Sequence, residues 1–485
     1  MPLPTTMPID DILLPEPGAS IWMTGIGGCG MSGLARMLAA RGFHVAGSDM
    51  TDSEVTRALE KDGIDVHIGE VALPDGIDLV IRSAAVPDDH RDVLAALERH
   101  TQCRFYADAL GMVQQDRLGV SIAGTHGKST TAAMLAWILT ETGLDPGFII
   151  GATCGQLNGG SRTGGDTVPT GPHAGEPAIL ITEACEFNRS FHRQRPTIGL
   201  INNVEEDHLD IYGSIESIIE AFRGFASLIP PADAGGGLLI AHDGAHRQLI
   251  TPSLDCHVST FGFHPEADYQ VVWDAAAQRA GILREGMWVT QWTNQMPGAH
   301  NALNSAAAVI LAHKLGTEWD QAAQAAGEFA GLHRRMERLG EFSTHDDGDA
   351  TVFIDYGHHP TEIDHTLRAL RAAEDPQRLV CVFQPHQHSR TRFLLDQFAE
   401  SFSAADEVIV PEIYFVRDSQ AERKRITSAD LVERLTQRGV QAHHVPEFDE
   451  ILSQLRTDLR SGDLLVVMGA GPVWTIGRDL MLESP

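Results

Sequence analysis

The sequence is poor in the features of secreted, membrane-spanning and nucleic-acid-binding proteins. Six cysteines are scattered over 485 residues without a Cys-x-x-Cys pair, which argues against a disulfide framework or a zinc knuckle. No window approaches about 18 uninterrupted apolar residues, and the first residues lack a basic stretch followed by an apolar run. Lys and Arg total 36 against 66 Asp and Glu, for a formal net charge of -30. We therefore expect a cytoplasmic protein with neither a nucleic acid nor a membrane as partner.

Length and patterning predict an α/β protein with several domains. A chain of 485 residues, 43% of them hydrophobic, is long enough for roughly three domains of about 150 residues. No period of about 20 to 50 residues recurs, so a solenoid is not expected. We predict two Rossmann-like units, residues 1–115 and 333–485, which flank a central P-loop ATPase-like domain with a parallel sheet, residues 116–332.

Apolar runs and helical periodicity give the individual elements. Strands are predicted at 20–24, 43–47, 78–82, 148–150, 178–182, 198–202, 351–355, 379–383, 407–410 and 464–468, with one more from Gly119 and short strands within 268–293. Helices are predicted at 31–40, 91–99, 128–142 and 301–315, and from Thr361. Residues 155–176 are rich in Gly, Thr and Pro and are predicted to form a mobile loop.

The run IAGTHGKSTT, residues 122–131, joins an apolar strand to a helix through a glycine turn. Free backbone N-H groups at such a helix start point at phosphate oxygens, Lys128 neutralises charge, and the Ser129 hydroxyl can bind Mg2+. The spacing departs from the ordinary P-loop, because Ile122 stands where a Gly is usual. An enzyme that hydrolyses ATP is the leading interpretation.

A second glycine turn, GIGGCG at 25–30, follows the first predicted strand, and Asp49 ends the next strand. This pattern alone suits NAD, FAD or a nucleotide-sugar diphosphate equally well, and a purely structural tight turn is the alternative. The turn has no lysine. It is therefore predicted to hold a diphosphate rather than to cleave one.

Acids, histidines and amides gather at predicted strand ends and helix starts of the central domain. Glu183 follows a strand beside the phosphate turn, where a Mg2+ ligand is needed, and His208 lies among four carboxylates. Solvated acids are the alternative in both places. Asn301 and Asn304 share one helix face and could bind a purine edge or cap the helix.

The last block concentrates histidines and arginines in an otherwise acidic protein. Asp355, His358 and His359 lie where a strand ends and a helix begins, and Arg390 lies in the run QPHQHSRTR after another strand. Carboxylate or phosphate recognition is the natural use of such a run. The linker arginines Arg334 and Arg335 could reach a γ-phosphate or form a solvated basic linker.

Taken in order, the motifs AGTHGKSTT, TEACE, NNVEEDH, HNALN, RRME and DYGHHPTE resemble those of the Mur ligases. The runs GIGGCGMSGLA, DYGHHPTE and QPHQHSRTR are most similar to the branch that adds the first amino acid, and the resemblance covers essentially the whole chain. It implies a UDP-binding, an ATPase and an amino-acid-binding domain. It also implies that ATP phosphorylates the lactyl carboxylate of UDP-N-acetylmuramate, and that L-alanine attacks the acyl phosphate.

The resemblance assigns roles to individual residues. The catalytic residues it implies are Lys128, His208, Arg335, His358 and Arg390. Those implied to bind ATP are Gly124, Thr125, His126, Gly127, Lys128, Ser129, Thr130, Asn301, Asn304, Arg335 and Asp355. The UDP-sugar is assigned to Gly25, Ile26, Gly27, Gly28, Gly30, Asp49 and Ser83, and metal to Ser129, Glu183 and His208. The chain departs from many relatives at Cys185, where they carry an acid, and from some at Gln387, where they carry Arg.

The resemblance further implies ATP and Mg2+ as cofactors, with two metal sites and Mn2+ as an alternative ion. The expected partners are the small molecules ATP, UDP-N-acetylmuramate and L-alanine, with the chain a monomer or a homodimer. Three alternatives stay open at this point: a ligase that recycles murein tripeptide, an NAD-dependent dehydrogenase, and a non-catalytic nucleotide-binding protein. The dehydrogenase rests on the first glycine turn and Asp49 alone and leaves Lys128 without a use.

Overall fold

The computed structural model describes residues 13–244, 246–416 and 418–482 and has the predicted α/β class. The chain forms two compact units. The first contains the described residues up to Val204 together with Ile219–Gln270 and Ala307–Ala326, and the second contains Glu205–Ile218, Val271–Ala306 and the described residues from Gly327 onward. The domain boundaries near residues 115 and 332 stay predictions.

The first unit begins with a five-stranded parallel sheet. Its strands are β1 (Ser20–Thr24), β2 (His44–Asp49), β3 (Asp65–Ile68), β4 (Leu79–Arg82) and β5 (Gln102–Phe105). Its helices are α1 (Cys29–Ala40), α2 (Glu54–Lys61), α3 (Arg91–Glu98) and α4 (Tyr106–Gln114). The strand order β3-β2-β1-β4-β5 is that of a Rossmann-type nucleotide-binding sheet. Strand β1 lies at its centre, with Ile21, Trp22 and Met23 fully buried, which is why its apolar run predicted it correctly.

A second sheet of the first unit carries the phosphate turn. Its strands are β6 (Leu118–Ala123), β7 (Gly147–Cys154), β8 (Gly159–Arg162), β9 (Ile179–Ala184), β10 (Ile198–Ile201), β11 (Gly237–Ala241) and β12 (His257–Gly262), followed by β13 (Tyr269–Asp274). Within this unit the order is β12-β11-β10-β6-β9-β7-β8. All of these neighbours are parallel except β7 and β8. Strands β6 and β9 are in register, with Ile122 opposite Glu183.

Several helices lie in the middle part of the chain. They are α5 (Lys128–Glu141), α6 (Leu209–Tyr212), α7 (Ile215–Ala226), α8 (Arg247–Ile250), α9 (Ala299–Lys314) and α10 (Trp319–Gly327), with 3-10 turns at Phe187–Arg193 and Ala232–Ala234. The prediction of a loop without structure at 155–176 is wrong in part. Strand β8 pairs with β7 there, and Thr167 bridges to Pro177. Its glycine-rich sequence hid a short edge strand that only its pairing partner defines.

The second unit contains a hairpin and a third sheet. The strands are β14 (Arg279–Arg284), β15 (Met287–Thr293), β16 (Glu337–Ser343), β17 (Asp349–Asp355), β18 (Arg378–Phe383), β19 (Glu407–Val410), β20 (Gln441–His444) and β21 (Asp463–Met468). The helices are α11 (Pro360–Glu374), α12 (His388–Phe393), α13 (Leu395–Ser401), α14 (Gln420–Arg423), α15 (Ser428–Gln437), α16 (Phe448–Asp458) and α17 (Trp474–Leu482). The sheet order is β16-β17-β21-β18-β19-β20, parallel except for the edge strand β16.

The predicted strands and helices are present, with ends that differ by a few residues. The sequence missed edge strands such as β3, β5 and β20, because these strands mix polar with apolar residues and lie only partly buried. It also missed the internal strands β11 and β12 and many helices, among them α2, α4, α7, α10, α15, α16 and α17. Within the described parts of the chain, no helix has the length and apolar character needed to cross a membrane.

Candidate active site

The phosphate turn lies between β6 and α5 in the first unit. Gly124 and Gly127 have φ angles of 143° and 80°, in the region that favours glycine, and Gly127 caps α5. Asn203 fastens the turn, since its Oδ1 accepts from the His126 N-H at 2.7 Å and its Nδ2 donates to the His126 carbonyl at 3.2 Å. The first turn of α5 therefore starts from a fixed backbone, as an anion-binding helix start requires.

Lys128 folds back over this turn. Its ammonium donates to the Gly124 carbonyl at 2.5 Å, to the Thr125 carbonyl at 2.9 Å and to both Glu186 oxygens at 2.9 and 3.2 Å. Burial would lower the pKa of Lys128, but the Glu186 carboxylate outweighs that effect and raises it above its ordinary value. Lys128 thus stays charged where phosphate oxygens are expected.

The predicted metal residues of the first unit carry side-chain oxygens, on Glu183 in β9 and on Ser129 in the first turn of α5. Glu183 lies in β9, and its Oε1 accepts from the Gly151 N-H at 2.5 Å. A Cβ at Gly151 would come within 3.3 Å of both Glu183 oxygens, so glycine keeps that carboxylate accessible. Ser129 follows Lys128 in α5. Hydroxyl and carboxylate oxygens are ligands of the kind that Mg2+ prefers, so this donor set fits that ion.

Four of the seven residues assigned to the UDP-sugar line one cavity of about 690 Å³ in the first unit: Gly25, Gly28, Asp49 and Ser83. Thr24, His90 and Arg91 also line it. Arg91 offers a cation for a diphosphate and was missed by the sequence analysis. Its position at the start of α3, directly after the loop that follows β4, was the available signal.

The other three residues assigned to the UDP-sugar pack closely against other residues of the protein. Ile26 is fully buried in the core. A Cβ at Gly27 would lie 2.9 Å from Asp49 Oδ2, and a Cβ at Gly30 would lie 2.6 Å from the Tyr106 hydroxyl oxygen. Close packing by these neighbours favours glycine at both positions, which agrees with the structural alternative that the sequence left open.

In the second unit, Arg390 is held by a carboxylate to which the sequence analysis gave no role. Its Nε and Nη2 donate to Asp207 Oδ1 at 3.1 and 3.0 Å, and its Nη1 lies 3.2 Å from His386 Nδ1. The Asp207 and Arg390 side chains are 8% and 6% exposed. Burial is the largest single influence on the pKa of Asp207 and would raise it, but Arg390 and the neighbouring histidines together hold it far below its usual range. His208, a predicted ligand, follows Asp207 with a left-handed φ of 52°.

Burial and nearby charges perturb two groups beside β17. Burial lowers the pKa of the His358 imidazole to about 3, so this residue is neutral at physiological pH. Its Nδ1 lies 3.2 Å from the Tyr356 carbonyl, which fixes that nitrogen as the donor and leaves Nε2 as an acceptor. Burial also raises the pKa of Asp355 to about 6, although its carboxylate accepts from the N-H groups of Met336 and Gly357.

The linker arginines have different surroundings. Arg334 donates to the carbonyls of Gly469 and Gly471 and lies over the rings of Tyr356 and Trp474. Arg335 lies over Tyr356 and 3.5 Å from a Glu362 oxygen. Arg334 therefore has a structural position within the second unit, and a ligand contact of Arg335 stays a prediction.

The two asparagines of α9 lie together. The Asn301 amide donates to the Pro297 carbonyl at 2.9 Å, and the Asn304 amide donates to Asn301 Oδ1 at 3.3 Å. Both side chains are buried. Neither of these bonds reaches a backbone N-H of α9, so they do not support the helix-capping alternative, and the assignment to adenine stays a prediction.

Three residues that the sequence analysis did not assign hold the predicted ones in place: Asn203, Glu186 and Asp207. Each lies inside a motif already noted, in NNVEEDH or at the end of TEACE. Their partners are distant in the sequence, so the motifs could suggest these residues but not their roles.

Family models match three consecutive parts of the chain. They are the Mur ligase family catalytic domain at residues 20–117, the Mur ligase middle domain at 122–312 and the Mur ligase glutamate ligase domain at 334–471. The chain belongs to the Mur ligase family. The phosphate turn and Glu183 lie in the middle-domain match, and His358 and Arg390 lie in the last match.

Curated members of the Mur ligase family resemble this chain over nearly its full length. A UDP-N-acetylmuramate--L-alanine ligase of Caldanaerobacter subterraneus subsp. tengcongensis is 33% identical over 470 residues, which cover 96% of this chain and 97% of the relative. The ligase of the same name from Lachnospira eligens is 35% identical over 470 residues, with 95% and 97% covered.

Solved structures of Mur ligases share the fold. A UDP-N-acetylmuramate-alanine ligase from Thermotoga maritima has a TM-score of 0.74 at 26% identity, and the match covers 96% of this chain and 98% of that one. A murein peptide ligase from Psychrobacter arcticus has a TM-score of 0.69 at 24% identity, covering 96% and 98%. The second likeness shows the fold alone.

Proposed function

We propose that this Mur ligase joins L-alanine to UDP-N-acetylmuramate at the expense of ATP, in the synthesis of peptidoglycan precursors. The observation that carries the proposal is the likeness, over 96% of the chain, to a relative named UDP-N-acetylmuramate--L-alanine ligase. The fixed turn under Lys128 and the cavity beside Asp49 support the proposal, because the reaction needs two nucleotide sites. The dehydrogenase alternative would leave the charged Lys128 without a role, and the likeness to relatives named as ligases speaks against a non-catalytic protein.

In the first step, ATP would transfer a phosphoryl group to the lactyl carboxylate. Lys128 would contact the terminal phosphates and neutralise charge that builds on their oxygens. Ser129 and Glu183 would hold Mg2+, which neutralises phosphate oxygens when bound. His208 is proposed as a ligand of a second ion, with Mn2+ as an alternative to Mg2+.

In the second step, the amine of L-alanine would attack the acyl phosphate and release phosphate. His358 is neutral and keeps Nε2 as an acceptor, so it is proposed to orient the amine through a hydrogen bond. The departing phosphate can take the proton that the amine loses. Arg390 would orient the amino-acid carboxylate through its charge, while Asp207 fixes its guanidinium plane. Arg335 and Asp355 remain proposed contacts of ATP.

The deciding experiment measures phosphate release from ATP with UDP-N-acetylmuramate and, in separate reactions, L-alanine, glycine, L-serine or the murein tripeptide. We expect L-alanine to give the highest kcat/KM. Stimulation by the tripeptide instead would identify the recycling ligase, the second candidate function. If no amine stimulates release, the proposal fails. The monomeric or homodimeric state and the cytoplasmic location remain predictions from the sequence.

A further inference from the structure

In the first unit, the Lys128 ammonium is already surrounded by oxygens of the protein. Its three protons face the Gly124 carbonyl, the Thr125 carbonyl and the Glu186 carboxylate, all within 3.2 Å. The Lys128 and Glu186 side chains are 15% and 5% exposed. A phosphate oxygen that approaches Lys128 must therefore take the place of one of these partners.

The backbone fixes Glu186 in this position. Strand β9 runs parallel to β6 with Ala184 opposite Ala123, so the chain leaves β9 beside the phosphate turn. Glu186 lies two residues further on and caps the 3-10 turn Phe187–Arg193. Lys128 and Glu186 therefore follow two neighbouring strands of one sheet. The backbone brings their side chains together, and the pairing does not depend on the flexible lysine side chain alone.

The charges beside the phosphate turn oppose the binding of a nucleotide that carries no metal ion. The single cation Lys128 faces two carboxylates, Glu183 and Glu186, that both interact with it electrostatically. A nucleotide diphosphate or triphosphate brings several more negative charges into a mostly buried place, where Coulomb interactions are screened much less than in water. A divalent cation that enters with the nucleotide offsets this repulsion.

We infer that Glu186 is a positioning residue that holds Lys128 ready over the phosphate turn and makes phosphate binding there conditional on a divalent cation. This inference rests on the proposed ATP site and adds to it a residue that sets its metal dependence. Replacing Glu186→Gln removes one negative charge but keeps the size and an acceptor oxygen. The amide should weaken the electrostatic repulsion of a metal-free nucleotide and so lower its Kd. The Kd of a metal-bound nucleotide should change little.

The test is the Kd of ADP, measured by isothermal titration calorimetry for the full chain in EDTA and again in excess Mg2+. The variant Glu186→Gln is compared with wild type and with Glu176→Gln, an exposed acid that pairs with His173 in the same unit. In EDTA we expect E186Q to bind ADP about tenfold more tightly than the other two proteins, the scale of one nearby charge after partial screening. In Mg2+ the three Kd values should agree within about threefold.

Equal Kd values of wild type and E186Q in EDTA would overturn the inference. Wild type supplies a second test that needs no variant, since its ADP affinity must rise strongly when Mg2+ replaces EDTA. Equal affinity in the two solutions would also overturn it. If wild type binds no ADP even with Mg2+, the proposed function fails instead, so the two failures are distinguishable.

Discussion

Asp207→Asn should loosen the second unit around Arg390, because it leaves a buried guanidinium without a carboxylate. In the native structure both bonds from Arg390 to Asp207 reach the same oxygen, Oδ1, at 3.1 and 3.0 Å. Both side chains are less than a tenth exposed, so water replaces little of what the substitution removes.

The magnitude follows from the two bonds. Each hydrogen bond to a charged group contributes about 1.5 to 3 kcal/mol, and the neutral amide oxygen of Asn retains about 1 kcal/mol of the pair. The net loss is about 3 kcal/mol, at the lower end of the roughly 3 to 5 kcal/mol for unpairing a buried ion pair. A loss of about 3 kcal/mol raises the equilibrium constant for local opening roughly 150-fold.

Hydrogen exchange measured by mass spectrometry is the suitable assay, since a chain of several domains need not unfold in one step. Amides of α6 and α12, such as Tyr212 and Leu394, which donate to the His208 and Arg390 carbonyls, should exchange about 100-fold faster in D207N. The matched control is Asp210→Asn, an exposed acid of α6, which should change little. Protection within about threefold of wild type in D207N would refute the reasoning.

Three further predictions concern the nucleotide sites and the second unit. Lys128→Ala should reduce ATP-dependent turnover by about 100-fold or more while the Kd of the UDP-sugar changes little, and near-normal turnover would disprove the phosphate role. Asp355→Asn should flatten the pH dependence of stability. The raised pKa of Asp355 gives stability that is present below about pH 4 and lost as the pH rises through about 6. Denaturant unfolding at several pH values should show that loss in wild type and not in the variant. Gly30→Ala should destabilise the first unit by about 1 to 3 kcal/mol, because its Cβ meets the Tyr106 hydroxyl. Adding Tyr106→Leu should recover part of the loss in the same unfolding assay, and no recovery would contradict that contact.

Although it missed the buried strand β11, the sequence predicted many central strands, because fully buried strands are nearly continuous apolar runs. Strands β1, β6 and β21 are of this kind. It predicted edge strands poorly. Strand β8 has the sequence GGSR, which no local preference would assign to a strand, and it exists because β7 offers it a pairing edge.

Phosphate-turn chemistry was also readable from local sequence. A strand, a glycine turn and Lys-Ser at a helix start are contiguous, so the spacing itself places the N-H groups and the lysine together. Local sequence did not decide whether Gly27, Gly30 and the two asparagines bind ligands. Glycine residues also serve turns and close packing, and asparagine amides also serve helix starts.

By itself, the sequence determined the α/β class, many of the buried strands that form the cores, the two glycine turns and, through its motifs, the family. Only the tertiary structure decided which charges meet. Lys128 and Glu186 are 58 residues apart, and Arg390 and Asp207 are 183 apart. Their pairing depends on sheet register and on the burial of both partners. Local periodicity carries no information about such distant contacts. In the folded chain they shift the pKa values of Lys128 and Asp207 and hold the paired side chains in place.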